Sequence, residues 1–488
     1  MDKNNRHIIQ KVRAELTVPR REKHTERSEQ FKQAVQNAIE KAVAVMDFES
    51  TDRFYQIDFL SIELDISGAD FQRLEKQLET ALSEKISHTL NGRKSELSMS
   101  GVLKNEIKEI SPGKRHKELI SYFLKTGRLP WWAEPVIMSK AENWLEKLPA
   151  NEWTEFIESL MQNNSNILER LATQFPASLL HRLIKKIAVE KYGSDAISSF
   201  LKKLLKFARN QNLTGNEIHR LEAELFEDLF EDIMKGADQK ILLTDMSVTA
   251  LTGIAESPAE EDDSQIIFKK WKFYNADKPI PGWNAKLEND LLKRITSGKQ
   301  IHRKKERKEE QTGGEEFRNS DENLRAFHSG IVILYPFLES LFVNLGLMEN
   351  GTFLNRAARE RAVCLVHYLA TGKMESPEHE LLLHKFLCGW PLEKPVKRFA
   401  TISDYEKTEC ESLLTSTIQH WEALKNTSVK GLRESFLQRE GILKKEEFGW
   451  NLYIEELTQD VLLQKLPWGI SIIKLKWMDE MLSVQWSN

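Results

Sequence analysis

HSGIVILYPFLESLFVNLGLM, residues His328 to Met348, decides how the chain is to be read. Thirteen of the eighteen residues from Ile331 to Met348 are apolar, in a chain whose mean hydropathy is -0.48. A helix crossing a bilayer needs about 20 mostly apolar residues. This stretch carries Pro336, Glu339 and Asn344 inside it and Gly346 near its end, and a carboxylate at mid-bilayer costs about 2–3 kcal/mol. The stretch therefore reads as buried core in two parts. GIVILYP is a short strand or turn, and Pro336 opens a helix at its first position. Phe337, Leu338, Leu341, Phe342, Leu345 and Leu347 give that helix a broad apolar face, and Gly346 and Gly351 punctuate its end.

The 488 residues suffice for roughly three domains by length. Charged residues make up 30% and hydrophobic ones 40%, and the formal net charge is -4. That balance gives no global pull towards nucleic acid or an anionic membrane surface. Glycine and proline are sparse, which favours helix. Cys364, Cys388 and Cys410 are the three cysteines, an odd number without a C-x-x-C pair, so a reducing compartment is expected rather than a disulfide scaffold or zinc site. The charged start MDKNNRHIIQKVRAEL shows no secretory signal.

Outward from the core stretch, the patterning divides the chain into four regions. Residues 1–110 read as a small β-α-β-α unit. Val12, Ala14, Leu16 and Val18 alternate as in a strand; Phe31 to Met46 form an amphipathic stripe; RFYQIDFLSIELDISG alternates with a phase slip that suggests a bulge; Phe71 to Ile86 mark a second helix. Residues 111–255 read as short helices. The first ends at Gly127, and breaks fall near Asn163 and Pro176. Residues 256–325, with ESPAEEDD and GKQIHRKKERKEEQTGGEEF, read as a polar linker or solvated, disordered segment. Residues 326–488 read as helices through Lys445, then a small antiparallel sheet built on Ile470 to Trp477 and Leu482 to Trp486. The fold class expected is predominantly helical α+β.

Chemistry-bearing motifs are few. HELLLH, His379 to His384, is one residue longer than H-E-x-x-H, and histidines five apart on a helix cannot share a metal as those four apart can. They read as boundary histidines at a helix start. Cys364 and His367 lie three apart on a helix, so a Cys-His pair is conceivable, but packing is the simpler reading. The basic run lacks interleaved aromatics. No Walker A, G-x-G-x-x-G or G-x-S-x-G sequence occurs. No catalytic, cofactor-binding or metal-ligating residue is assigned and no cofactor is expected. YFLKTGR (Tyr122 to Arg128) and HYLATGK (His367 to Lys373) share aromatic-Leu-x-Thr-Gly-basic at a helix end, as one capping device used twice or as chance convergence.

GIVILYPFLESLFVNLGLM, RAARERAVCLVHYLATGKMESPEHELLLHKFLCGWPLEKPV, LRESFLQREGIL and DVLLQKLPWGISIIKLKWM together resemble the C-terminal signature of the contractile injection system tape measure family, from phage-tail-like particles. IIQKVRAELTVP, RFYQIDFLSIELDI and FLKTGRLPWW resemble that family's opening region. The likeness covers roughly residues 5–135 and 325–487. It implies a structural, non-enzymatic protein that sets tube-sheath length during assembly. The alternative is an assembly adaptor at the baseplate or cap that is indifferent to its own length. Implied partners are the inner tube, the baseplate hub and the terminator or cap proteins, without nucleic acid or a stable membrane span, and with homo-oligomerisation left open. Assembly would occur in the cytoplasm, and the protein would then lie within or on the particle. The signature positions matched here are Thr126, Gly127, Pro130, Trp131, Thr371, Gly372, Glu378, Glu380, Cys388, Gly389, Pro391, Pro467, Trp468 and Gly469, expected as fold or docking positions. Fully helical, the chain would reach about 730 Å, but it lacks the long heptads of a continuous rod.

Overall fold

The computed structural model describes residues 9, 12–15, 24–44, 54–57, 62, 71–91, 107–130, 132–162, 166–255, 263–274, 289, 323–446 and 449–486. The chain forms two compact units, one of residues 1–119 with 131–134 and the other of residues 120–130 with 135–488.

In the first unit the described order is α1 (His24–Ala44), β1 (Phe54–Ile57), α2 (Phe71–Asn91) and β2 (Ile107–Ile110), followed by the start of α3 (Pro112–Thr126). Ala34, Val35, Ala38 and Ala42 form the buried stripe of α1, and α2 contributes Leu74. Lys41 pairs with Glu75 across the two helices, and Asn37 Nδ2 donates to the same carboxylate at 3.2 Å. β1 pairs antiparallel with β2, Phe54 opposite Ile110. That partner falls where the alternation gave no strand. Of the strand expected over residues 12–18, residues 12–15 are irregular and 16–18 lie outside the described residues. Residues 58–61, where the bulge was expected, also lie outside them.

The second unit begins with a helical array: α4 (Ile137–Lys147), α5 (Ala150–Met161), α6 (Ile167–Gln174), α7 (Ala177–Tyr192), α8 (Ala196–Arg209), α9 (Gly215–Met234), α10 (Gln239–Ala255) and α11 (Asp263–Tyr274). Each helix is short because its ends are written in the sequence. Pro149 and Pro176 sit at the N-caps of α5 and α7, Gly193 turns left-handed after α7, and Thr214 with Glu217 forms a capping box on α9. α10 packs against α8, α9 and α11. Its neighbours supply the buried Leu201, Leu204, Leu225, Phe226 and Trp271. α11 lies within the stretch expected as a polar linker: Ile267, Phe268 and Trp271 recur at helical spacing and are buried. Residues 275–288 and 290–322 of that stretch lie outside the described residues.

The rest of this unit is built around the opening stretch. β3 (Leu324–Ala326) leads into a 3₁₀ turn, Ser329–Leu334, in which Ile331, Val332, Ile333 and Leu334 are all fully buried. α12 (Tyr335–Asn344) follows with proline in its first turn. Among the described residues no helix is long and apolar enough to cross a membrane. After the hairpin of β4 (Met348–Glu349) and β5 (Thr352–Phe353) comes α13 (Arg356–Thr371). Every residue of α13 from 362 to 370 is buried, as befits a helix apolar on all sides. It packs on the 3₁₀ turn, on α14 (Leu382–Leu387), on α15 (Asp404–His420) and on a π-turn, Arg433–Leu437, that follows α16 (Val429–Leu432).

The chain closes in β6 (Gly441–Glu446), β7 (Gly449–Ile454), β8 (Ile472–Ile473) and β9 (Leu482–Gln485), giving a five-stranded sheet of order β3-β6-β7-β9-β8. β7 and β9 run parallel and the other pairs antiparallel, so the expected small antiparallel sheet is mixed and recruits β3 and β6. Helix was expected through Lys445. Instead β6 starts at Gly441, where a Cβ would come within 2.8 Å of the Tyr453 carbonyl of the neighbouring strand. The register aligns Leu324, Leu443, Leu452 and Val484 in one row over four strands. All four are buried on the core face.

Gly330 shows how tightly the opening stretch is held. A Cβ there would lie 1.7 Å from the carbonyl oxygen of Phe436, whereas one at Gly346 would meet nothing within 4 Å. Backbone cannot swing aside as a side chain can. Gly330→Ala is expected to lower stability by about 3 kcal/mol or more, and Gly346→Ala, which bears only its left-handed φ of 66°, by about 1–2 kcal/mol, in parallel urea titrations.

A second expectation concerns α9. Burial, with Asp245 and Asp228 nearby, raises the Asp232 carboxyl to about 6. A carboxyl raised on folding stabilises below its unfolded pKa of about 3.9 and destabilises as pH rises through 6. Asp232→Asn is therefore expected to raise the melting temperature at pH 7.5 but not at pH 4. The group is half open to solvent, so the gain is about 1 kcal/mol or less.

Candidate functional site

The helix end that reads FLKTGR is a working cap. Gly127 is left-handed at φ 70°, and its N–H donates to the Phe123 carbonyl at 2.7 Å. Thr126 Oγ1 donates to the Tyr122 carbonyl at 2.8 Å and accepts from the Arg128 N–H at 3.1 Å. At the end of α13 the same device recurs. Gly372 has φ 71° with its N–H 2.7 Å from the Tyr368 carbonyl. Thr371 Oγ1 lies 2.8 Å from the His367 carbonyl and 3.0 Å from the Lys373 N–H. The likeness extends beyond the chain segment itself. In both places an arginine from a distant element donates to the leucine carbonyl two residues before the threonine: Arg170 to Leu124, and Arg433 to Leu369 at 3.0 Å. In both places that arginine also pairs with a glutamate, Glu378 at 2.9 Å and Glu411 at 2.6 Å. The last carbonyls of a helix lack partners within it and attract cations, which explains the recurrence.

The first of these caps lies inside the protein. Arg170 and Glu378 have no exposed side-chain surface. Arg170 Nε and Nη2 grip the carboxylate at 2.9 and 3.3 Å. Lys385 Nζ, also buried, reaches Glu378 Oε1 at 2.6 Å and the carbonyls of Leu392 and Lys394 at 3.2 and 2.7 Å. Arg170 also donates to the Glu393 carbonyl. Burial pushes the Lys385 ammonium below its ordinary pKa, against the pull of Glu378. Gln174 accepts from the Glu378 N–H at 2.9 Å. Gly127 closes the arrangement: a Cβ there would stand 2.3 Å from Glu378 Oε1. α3, α6, α14 and the loop after Trp390 are thus joined through one carboxylate. Outside it, Arg398 pairs with Glu142 at 3.2 Å, and Asn216 and Thr401 exchange side chain-to-backbone bonds at 2.7 and 3.0 Å.

Beside this lock is a cluster of imidazoles. His328, left-handed at φ 54°, His367 on α13 and His384 on α14 face one another, with ring centroids 5.4–5.5 Å apart. His367 Nε2 lies 3.0 Å from Glu380 Oε2, and its Nδ1 lies 3.4 Å from the Ser376 hydroxyl. Burial lowers His328 and His379 to about 4. Burial alone would raise the Glu380 carboxyl, but the bond from His367 and the neighbouring rings outweigh it and hold it near 2.

The structure corrects the reading of HELLLH as boundary histidines. His379 sits on a 3₁₀ turn, Glu378–Glu380, and His384 on α14, with Leu381 between. Spacing on a single helix therefore does not govern them, and both are buried. Cys364 does not partner His367. Its thiol points to the Lys397 carbonyl and is pushed up to about 12 by burial, so it is held as an inert thiol.

Of the other signature positions, Gly389 faces the Trp477 carbonyl, 2.4 Å from where a Cβ would stand. Cys388 is buried beside it. Trp468 Nε1 donates to the Ile333 carbonyl at 2.9 Å, and the Gly469 carbonyl accepts from Tyr335 at 3.1 Å, tying the tail to the opening stretch. Pro130 is buried, Pro391 half-buried and Pro467 exposed, while Trp131 lies outside the described residues. Arg170, Lys385, Gln174 and Ser376 were not singled out in the sequence. The signal available was a charge on a buried stripe, as with Arg170 between Ile167 and Leu171, and Lys385 inside LLHKFL.

A family model described as contractile injection system tape measure protein matches residues 6–486. The chain belongs to that family. Membership ties it to a contractile injection particle and extends the likeness through the helical array, which had not looked distinctive. No curated protein and no solved structure matches the chain.

Removing one member of a buried ion pair leaves the other charge stranded, at about 3–5 kcal/mol. Glu378→Gln is expected to lower unfolding free energy by that amount. Glu411→Gln, at the half-exposed copy of the same device, is expected to cost about 1 kcal/mol or less, both read by denaturant titration.

Proposed function

We propose that the protein sets tube-sheath length during assembly of a contractile injection particle. It would touch the inner tube along its span, with the baseplate hub at one end and the terminator or cap at the other. The observation that carries this is the family match over nearly the whole chain. The role is structural, with no bond-making centre. It is played out in the cytoplasm during assembly and then within or on the particle.

The array of short helices supports a measuring segment that changes state. The longest helix between α4 and α10 is α9 with 20 residues, so none is itself a long rod. In the compact form the array is fastened to the C-terminal region through Arg170 and Glu378. Entry into a growing tube would require that fastening to open, with the array then paying out as extended chain. The fastening also favours a second reading, a fixed-copy adaptor at the baseplate or cap that works in its compact form. In either reading the exposed Pro467 and Gly469 beside Trp468 are docking candidates.

In-frame duplication or deletion of the α7–α8 hairpin, residues 177–209, separates the two. It leaves Arg170, Gly127 and Glu378 in place. A ruler is expected to change particle length by at least about 1.5 Å per residue, measured by electron microscopy. Intact particles of unchanged length would instead identify the adaptor.

A further inference from the structure

We propose that His328, His367, Glu380 and His384 form a closed site for a structural zinc ion. The proposal is independent of whether the protein acts as ruler or adaptor.

Three of the donors already converge. One ligand atom each from His328, His367 and Glu380 falls within 4.8 Å of the others. Glu380 Oε2 is 3.0 Å from His367 Nε2 and 3.8 Å from His328 Nε2. Zinc bound tetrahedrally at about 2.0–2.1 Å holds its donors about 3.3–3.4 Å apart. The two separations from Glu380 bracket that value, so these three donors close with small side-chain movements, while His384 lies outside their group and has to turn its ring towards it.

His384 supplies the second, independent observation. It is fully buried, and neither Nδ1 nor Nε2 makes a well-formed hydrogen bond, the backbone of Glu380 being the polar group that bears on the ring. A buried imidazole normally satisfies at least one nitrogen. This one instead rests against the rings of both His328 and His367. His328 Nδ1 is likewise buried without a partner. A cation held by the other three gives His384, once its ring turns in, a stronger partner than the Glu380 backbone, and His384 becomes the fourth vertex of the tetrahedron.

The surroundings suit a cation. His367 needs only to change tautomer. Its Nε2 gives up the bond to Glu380, and its Nδ1–H turns to the buried Ser376 hydroxyl, an outer-shell acceptor that fixes the ring. Three imidazoles and one carboxylate, without a thiolate, suit zinc. A third buried histidine fills the position that a catalytic or oxygen-activating metal would keep open. The four ligands come from the β3 exit, α13, the Glu378–Glu380 turn and α14, so one ion would cross-link four elements.

The test uses the full chain, stripped with chelator and then supplied with zinc or cobalt chloride. Elemental analysis after desalting is expected to give about one zinc per chain. The cobalt form is expected to show the intense visible bands of tetrahedral coordination, and the melting temperature is expected to rise by several degrees with zinc. Glu380→Gln, on the rim of the cluster, is expected to keep the wild-type circular dichroism, to melt somewhat lower without metal because its bond to His367 is weakened, and to lose the zinc-induced rise above its own metal-free value. Should that variant not fold, His328→Gln tests another donor in the same way. Absence of stoichiometric metal in the wild-type chain, an octahedral cobalt spectrum, or an undiminished zinc response in a folded variant would overturn the proposal.

Discussion

A single carboxylate, Glu378, sits where four stretches of chain meet, and the second unit is organised around keeping it satisfied. Two cations face it, Arg170 and Lys385, so the group carries an excess positive charge among fully buried side chains. Carbonyl oxygens make up the difference: those of Leu124, Leu392, Glu393 and Lys394 accept from the two cations. Burying charge is costly unless every donor and acceptor is met. Here the cost is met by backbone carbonyls of the loop after Trp390 and one from the last turn of α3. The arrangement adds specificity more than raw stability, because only one docking of the array satisfies all of it at once.

The signature glycines make sense in that light. Gly127 and Gly372 are left-handed caps, and at Gly127 the missing Cβ is also what admits Glu378. Gly389 does the same for the Trp477 backbone. Each is a place where two remote parts of the chain approach more closely than any side chain would permit. Positions that read as isolated punctuation in the sequence are contact points, and the residues that press on them lie elsewhere in the chain.

That explains what could and could not be read from the sequence. Caps, prolines and apolar stripes act over three or four residues, so α1, α2, the short helices of the array, the Pro336 helix start and the Thr-Gly stops were legible. β2 was missed because four residues, IKEI, carry too little alternation to register. The start of β6 was missed because the preceding helical pattern masked a strand whose partners, β3 and β7, define it only in three dimensions. The histidine cluster was misread for a related reason. No single helical wheel runs across Leu381, where the chain leaves one turn and begins another helix. Pairings such as Arg170 with Glu378, 208 residues apart, leave no local trace except a charge on an apolar face.

That separation has a consequence for biosynthesis. A ribosome adding about 5–20 residues per second needs about 10–40 s to pass from position 170 to position 378. For most of that interval α3 and α6 are already made, yet Arg170 lacks Glu378 and Gly127 faces an unfilled gap. The nascent array is then an open intermediate, available to a chaperone or to an assembling neighbour before the C-terminal region arrives to shut it.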